Sequence, residues 1–204
     1  MSMLDKIASA VTPMESDEQR REARERARTA ARPGSWLSMI VDQHQQIENA
    51  FERARSAQDP AAQTAALKQL MLVLNGHSLA EEAVIYPGLV MAGEKAHSGT
   101  AYTQHTATKI QLGELETLPP LSQEFTEKLE HVRGAVLHHI YEEESNWLLD
   151  LESKASATEN QRLTQRFTEE FERYAGGDAL DGLSSTALGG RTATSSGLQP
   201  SLQS

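Results

Sequence analysis

Apolar residues return every three or four positions along most of this chain, and no run shows the strict alternation of a half-buried strand. The spacing predicts long helices with short breaks. Arg32-Pro33-Gly34-Ser35 is a break followed by an N-cap at Ser35. A first helix is expected over about 35–57, ending near Asp59-Pro60. A second covers about 61–91 and is interrupted at Tyr86-Pro87-Gly88, a third about 94–117 up to Pro119-Pro120, and a fourth about 121–155. Short breaks between long helices predict an all-α, antiparallel, up-down-up-down four-helix bundle over residues 33–156.

The buried stripe of each helix can be read from positions three and four apart. In the first helix it is Trp36, Ile40, His44, Ile47 and Phe51. In the second it is Leu67, Leu70, Leu74, His77, Glu81 and Val84, and in the third Ala101, His105, Leu112 and Leu115. In the fourth it is Phe125, Leu129, Val132, Val136, His139, Glu143 and Trp147. Each stripe is apolar except for one histidine, and two of them add a glutamate one turn later.

Outside the bundle, residues 1–32 form an extension. Glu15 to Arg32 mixes acids and bases at close spacing and reads as a solvated helix held by charge pairs one turn apart. Met3 to Val11 is mildly amphipathic, suited to capping the bundle or to contact with a protein partner or a second copy. A further helix is expected at about 157–175. From Gly176 the chain is rich in Gly, Ser and Thr and reads as a disordered tail over 176–204.

Composition narrows the chemistry. The chain of 204 residues carries a net charge of −10, so it lacks the basic surface of a nucleic-acid binder, and nucleic acid is not expected as a partner. No stretch is long and apolar enough to span a membrane, and the N-terminus is not a convincing secretory signal, so the expected location is the cytoplasm. With no cysteine, disulfides, thiolate sites and iron–sulfur clusters are excluded. Any metal must bind His, Asp or Glu.

A single buried histidine is usually a hydrogen-bonded core residue. Four histidines and two glutamates converging are different, because a carboxylate in an apolar core costs several kcal/mol unless a charge compensates it. A pair of metal ions supplies that charge. Imidazole with carboxylate suits iron, and manganese, zinc or copper also fit. The fourth helix offers a second register through His131, Ala135, His138, Glu142, Ser145 and Leu149, but that face is less apolar. It leaves His138 to orient a ligand by a hydrogen bond. His97 and His131 are expected at the surface, Glu82 and Glu144 as solvated neighbours, and Tyr86, Tyr102 and Tyr141 as partly buried amphipathic aromatics.

The segments DQHQQIENAF, LNGHSLAEEAVIYPGL, YTQHTATKIQLGELE and VLHHIYEEESNWL, in that order over about residues 35–152, resemble the HHE cation-binding domains of the hemerythrin superfamily. The resemblance implies two non-haem iron ions joined by an oxo or hydroxo bridge. His44, His77, His105 and His139 would be terminal ligands, and Glu81 and Glu143 bridging carboxylates. The oxygen carriers have a fifth histidine where this chain has Lys109, and an aspartate at longer spacing where it has Glu143. These departures weigh against reversible oxygen transport and favour peroxide, nitric oxide or redox chemistry.

Three functions compete. A binding protein would take dioxygen, nitric oxide or peroxide for sensing, storage or stress protection. An enzyme would decompose peroxide, reduce nitric oxide or act as an oxidase. A structural bundle with a vestigial site has nothing to explain six converging metal-type groups. On either metal-based reading, Glu81→Ala or His139→Ala lowers iron content and thermal stability, because the remaining ligands stay buried without their charge partner. Elemental analysis and melting curves check this; unchanged loading in both variants would sink the assignment. His97→Ala is expected to change little.

Overall fold

The computed structural model describes residues 15–176, and within them every regular element is helical. Helix α1 covers Asp17–Ala30, α2 Trp36–Ser56 and α3 Pro60–Ala80. A π-helical turn over Glu81–Ile85 leads directly into α4, Tyr86–Met91. After Gly93, whose positive φ of 95° a side chain would resist, α5 covers Lys95–Glu116 and α6 Gln123–Glu142. A second π-helical turn, Glu143–Trp147, joins α6 to α7, Leu148–Lys154, and α8 covers Ala157–Ala175. No helix among the described residues is long and apolar enough to cross a membrane. Met3–Val11 and the tail beyond Gly176 lie outside the described residues.

Local chemistry sets the helix starts. Ser35, Asp59 and Ser122 each accept backbone N–H bonds at the first turn of α2, α3 and α6. Ser16 with Gln19, and Ser156 with Glu159, form reciprocal capping boxes on α1 and α8. The expected break at Tyr86-Pro87-Gly88 is not a break. Pro87 lacks an N–H, and the carbonyl of Glu82, five residues before it, accepts instead from the Tyr102 hydroxyl at 2.7 Å. The chain passes the proline in π register and continues.

α2 packs on α3, and α5 on α6, with further contacts between α2 and α6 and between α3 and α5. This pairing is compatible with a four-helix bundle. α1 lies against α2 and the second π turn, and α8 lies across α3 and the first. α8 is tied to the start of α2 by Trp36, whose indole N–H donates to Asn160 at 2.7 Å. The charged α1 is not simply a solvated helix. Its Arg20–Asp17 and Arg21–Glu18 pairs are present at the surface, but Ala23 and Ala27 are fully buried against the bundle.

The core is divided. One apolar cluster gathers Trp36, Ile40, Ile85, Leu89, Trp147 and Phe167. The other gathers Ile47, Phe51, Leu70, Leu112, Phe125 and Val136. The inward histidines fall between them along the chain: His44 between Ile40 and Ile47, His105 between Ala101 and Leu112. A polar layer is therefore held between two apolar ones.

Two glycines give opposite tests of this packing. A Cβ on Gly76 would stand 2.8 Å from the Ala175 Cβ, with α8 backbone at 3.3 Å, whereas Gly113 faces open space. Gly76→Ala is expected to destabilise by about 1–3 kcal/mol despite its gain in helix propensity. Gly113→Ala is expected to stabilise by up to about 1 kcal/mol. Urea unfolding of the two variants checks both signs.

Candidate metal centre

All six predicted side chains meet in the polar layer, and none is more than 6% exposed. His44, His77, Glu81 and Glu143 each offer one atom to a group lying within 4.8 Å of one another, and Glu81, His105 and His139 form a second such group. Glu81 belongs to both. Glu143 links them as well, with Oε2 3.2 Å from His44 Nε2 and Oε1 3.4 Å from His139 Nε2.

The four imidazoles are held alike. Each Nδ1 faces a side-chain oxygen: Glu144 for His44 at 2.9 Å, Gln43 for His77 at 2.9 Å, Glu82 for His105 at 3.0 Å and Gln104 for His139 at 2.7 Å. An oxygen acceptor requires the proton on Nδ1, which leaves each Nε2 lone pair turned inward. The pattern repeats in the chain. Gln43-His44 and Gln104-His105 are the same doublet, and His77 to Glu81-Glu82 has the same spacing as His139 to Glu143-Glu144. The glutamines serve histidines within their own half, and Glu82 and Glu144 serve histidines of the other. This doubled motif was the available signal for four residues that stripe analysis missed.

Glu82 and Glu144 are thus not solvated neighbours. Glu144 is 1% exposed and also accepts from the Arg24 guanidinium, Nε to Oε1 at 2.9 Å. Glu82 also accepts from Lys109 at 2.6 Å, so the lysine at the carriers' fifth-histidine position reaches His105 through a carboxylate. His138 lies one step further out. Its Nδ1 pairs with Glu15 at 2.9 Å, and its Nε2 is 3.6 Å from Glu142, which accepts from Gln104. His97 is half-buried rather than exposed, stacked on Trp147 with centroids 5.5 Å apart. His131 is likewise half-buried.

Tyr86 is the largest departure from expectation. It is fully buried, and its hydroxyl lies 2.8 Å from His105 Nε2, 3.3 Å from His139 Nε2 and 3.1 Å from Glu143. On an α-helix, residues five apart point roughly 140° away from each other. The π turn closes a bond from the Tyr86 N–H to the Glu81 carbonyl and brings both side chains to one face. At the matching place after Glu143 stands Leu148. The two halves are therefore unlike, with a hydroxyl only beside His105 and His139.

The electrostatics fit a cation. His44 Nε2, Glu81 Oε1 and Glu143 Oε2 are buried without a hydrogen-bond partner, and the Nε2 atoms of His105 and His139 face each other at 3.0 Å. Two lone pairs at that distance need a proton or a cation between them. Burial disfavours the charged form of His44, but the carboxylates of Glu143 and Glu144 more than reverse this and raise its pKa to about 10. Burial lowers His139 to about 3 and takes His77 well below the usual histidine range. Burial raises Glu81 to about 7. For Tyr86, burial and then the charges of Glu143 and Glu81 push the phenol well up. These are groups short of positive charge, with the donor types that iron accepts.

Comparison with known proteins agrees with this donor set. Over 124 residues, 61% of this chain, the sequence is 21% identical to a curated protein from Nostoc sp. (strain PCC 7120 / SAG 25.82 / UTEX 2576) described as a DNA nickase. The chain spans about a third (35%) of that relative's length. The expectation that nucleic acid is not a partner gains nothing from this match. No solved structure matches. The profile of the hemerythrin HHE cation binding domain matches residues 37–151. That span takes in every helix carrying an inward histidine, and on this ground the chain belongs to the hemerythrin HHE cation-binding family.

Proposed function

We propose that this is a non-haem di-iron protein that binds dioxygen, nitric oxide or peroxide, on an up-down-up-down bundle, in sensing, storage or protection. The observation that carries the reading is that Glu81 belongs to both donor groups, with Glu143 between His44 and His139. His44 and His77 would hold one ion, His105 and His139 the other, and the two glutamates would bridge them. When bound, iron supplies reversible one-electron chemistry and an open coordination position.

The chain's own residues do the rest. The four Nδ1–H bonds fix each ring so that Nε2 points inward. The two apolar clusters exclude water on either side. With every donor at most 6% exposed, a diatomic molecule or peroxide reaches the centre more readily than an organic substrate. The Tyr86 hydroxyl can hold a hydrogen bond or a proton beside the second ion. That observation favours the alternative reading, an enzyme that decomposes peroxide or reduces nitric oxide, since both reactions consume protons.

Elemental analysis of the purified full chain tests the centre, with about two irons per chain expected for paired bridging carboxylates. Exposing the reduced protein to dioxygen, nitric oxide and peroxide then separates binding from turnover. Tyr86→Phe is expected to keep its iron and to lose the bound small ligand faster, on the order of tenfold for one hydrogen bond to a charged group. Stopped-flow absorbance measures that rate.

Loading should also depend on pH. At neutral pH His44 keeps its proton, with a pKa of about 10, and Glu81, at about 7, is half protonated. His77 and His139 are already neutral, because burial lowers them. Metal must displace the first two protons, so affinity rises as pH goes from 6 to 8, with about one to two protons released per centre at pH 7. Calorimetric titration in buffers of different ionisation enthalpy counts them.

A further inference from the structure

α1 lies outside the family match, yet it reaches the partner of an inward histidine. Arg24 is 13% exposed at its side chain and Glu144 1%. The guanidinium Nε stands 2.9 and 3.2 Å from the two Glu144 oxygens, Nη2 donates to Glu48 at 2.7 Å, and Nη1 donates to Gln45 at 3.2 Å. The same Glu144 oxygen that Nε approaches most closely accepts from His44 Nδ1 at 2.9 Å. Other arginines of α1 do not reach inward in this way. Arg21 pairs with the exposed Glu18 and Arg28 with the exposed Asp42.

A buried carboxylate with only an imidazole N–H for company draws that proton toward itself and tolerates more than one ring orientation. A forked cation on its far side neutralises it and fixes its plane. In the other half of the centre Glu82 is neutralised by Lys109, from within the bundle. In this half the equivalent charge comes from the extension. Resting on the di-metal reading above, we propose that Arg24 is a positioning residue for the metal centre. Through Glu144 it sets the orientation and donor strength of His44 at its ion, which makes the docked α1 a working part of the site.

The test uses the full chain loaded with iron, with affinity read by chelator competition and midpoint potential by spectroelectrochemistry. Arg24→Gln is expected to weaken iron binding about 10–100-fold, the usual loss when a ligand's hydrogen-bond partner is disturbed. It is also expected to lower the potential, since a positive charge near the ion has gone. Arg28→Gln, on the same helix, is expected to stay within about twofold of wild type on both readouts, because its pair is exposed. In a Glu144→Gln background, Arg24→Gln is expected to add nothing further. Arg24→Lys keeps the charge without the fork and is expected to fall between wild type and Arg24→Gln; it carries the test alone if Arg24→Gln does not fold. Affinity and potential equal to wild type in the folded Arg24 variants, or full additivity with Glu144→Gln, would overturn the proposal while leaving the di-metal reading intact. A wild type that takes up no metal would overturn both.

Discussion

Two glutamate carboxylates with no exposed surface, set among four buried imidazoles, are the constraint on which the rest of this structure depends. Hydrogen bonds within the group cannot satisfy it. Three buried polar atoms are left without partners, and two Nε2 atoms face each other. Positive charge in the middle resolves both problems at once. The chain divides its core into two apolar clusters with this layer between them, so the polar groups face one another and not the hydrocarbon.

Holding such a layer requires control of ring orientation, and the chain achieves it twice with the same device. A Gln-His doublet and a His-x-x-x-Glu-Glu run appear once in each half. The outer glutamate of each half crosses to the histidine of the other, which ties α2 to the turn after α6 and α5 to the turn after α3. Each π turn begins at the inner glutamate. The turn shifts the helix register by one residue, so the inner glutamate can face the ions while the next one reaches outward to its imidazole.

The halves then diverge in ways that give the two ends of the centre different chemistry. Tyr86 places a hydroxyl beside His105 and His139, where Leu148 places none beside the other pair. Lys109 neutralises one outer carboxylate from the bundle, and Arg24 neutralises the other from the extension. A symmetric cradle with unsymmetric surroundings suits an exogenous ligand that binds at one ion and takes its hydrogen bond there.

By itself, the sequence determined the helical class and the inward stripes. Residues three and four apart share a face whatever surrounds them, and a histidine or glutamate in an apolar line is visible as a break in that line. His44, His77, Glu81, His105, His139 and Glu143 were legible on that basis, and the structure buries all of them together. Tertiary structure alone decided the outer partners. Glu144 reads as solvated on its own helix because the imidazole and guanidinium that bury it arrive from positions 100 and 120 residues away in the chain. Tyr86 reads as off the face because α periodicity places it there, and only the π turn at Glu81 turns it in. The inner layer follows from local period, whereas the outer one depends on which helices meet.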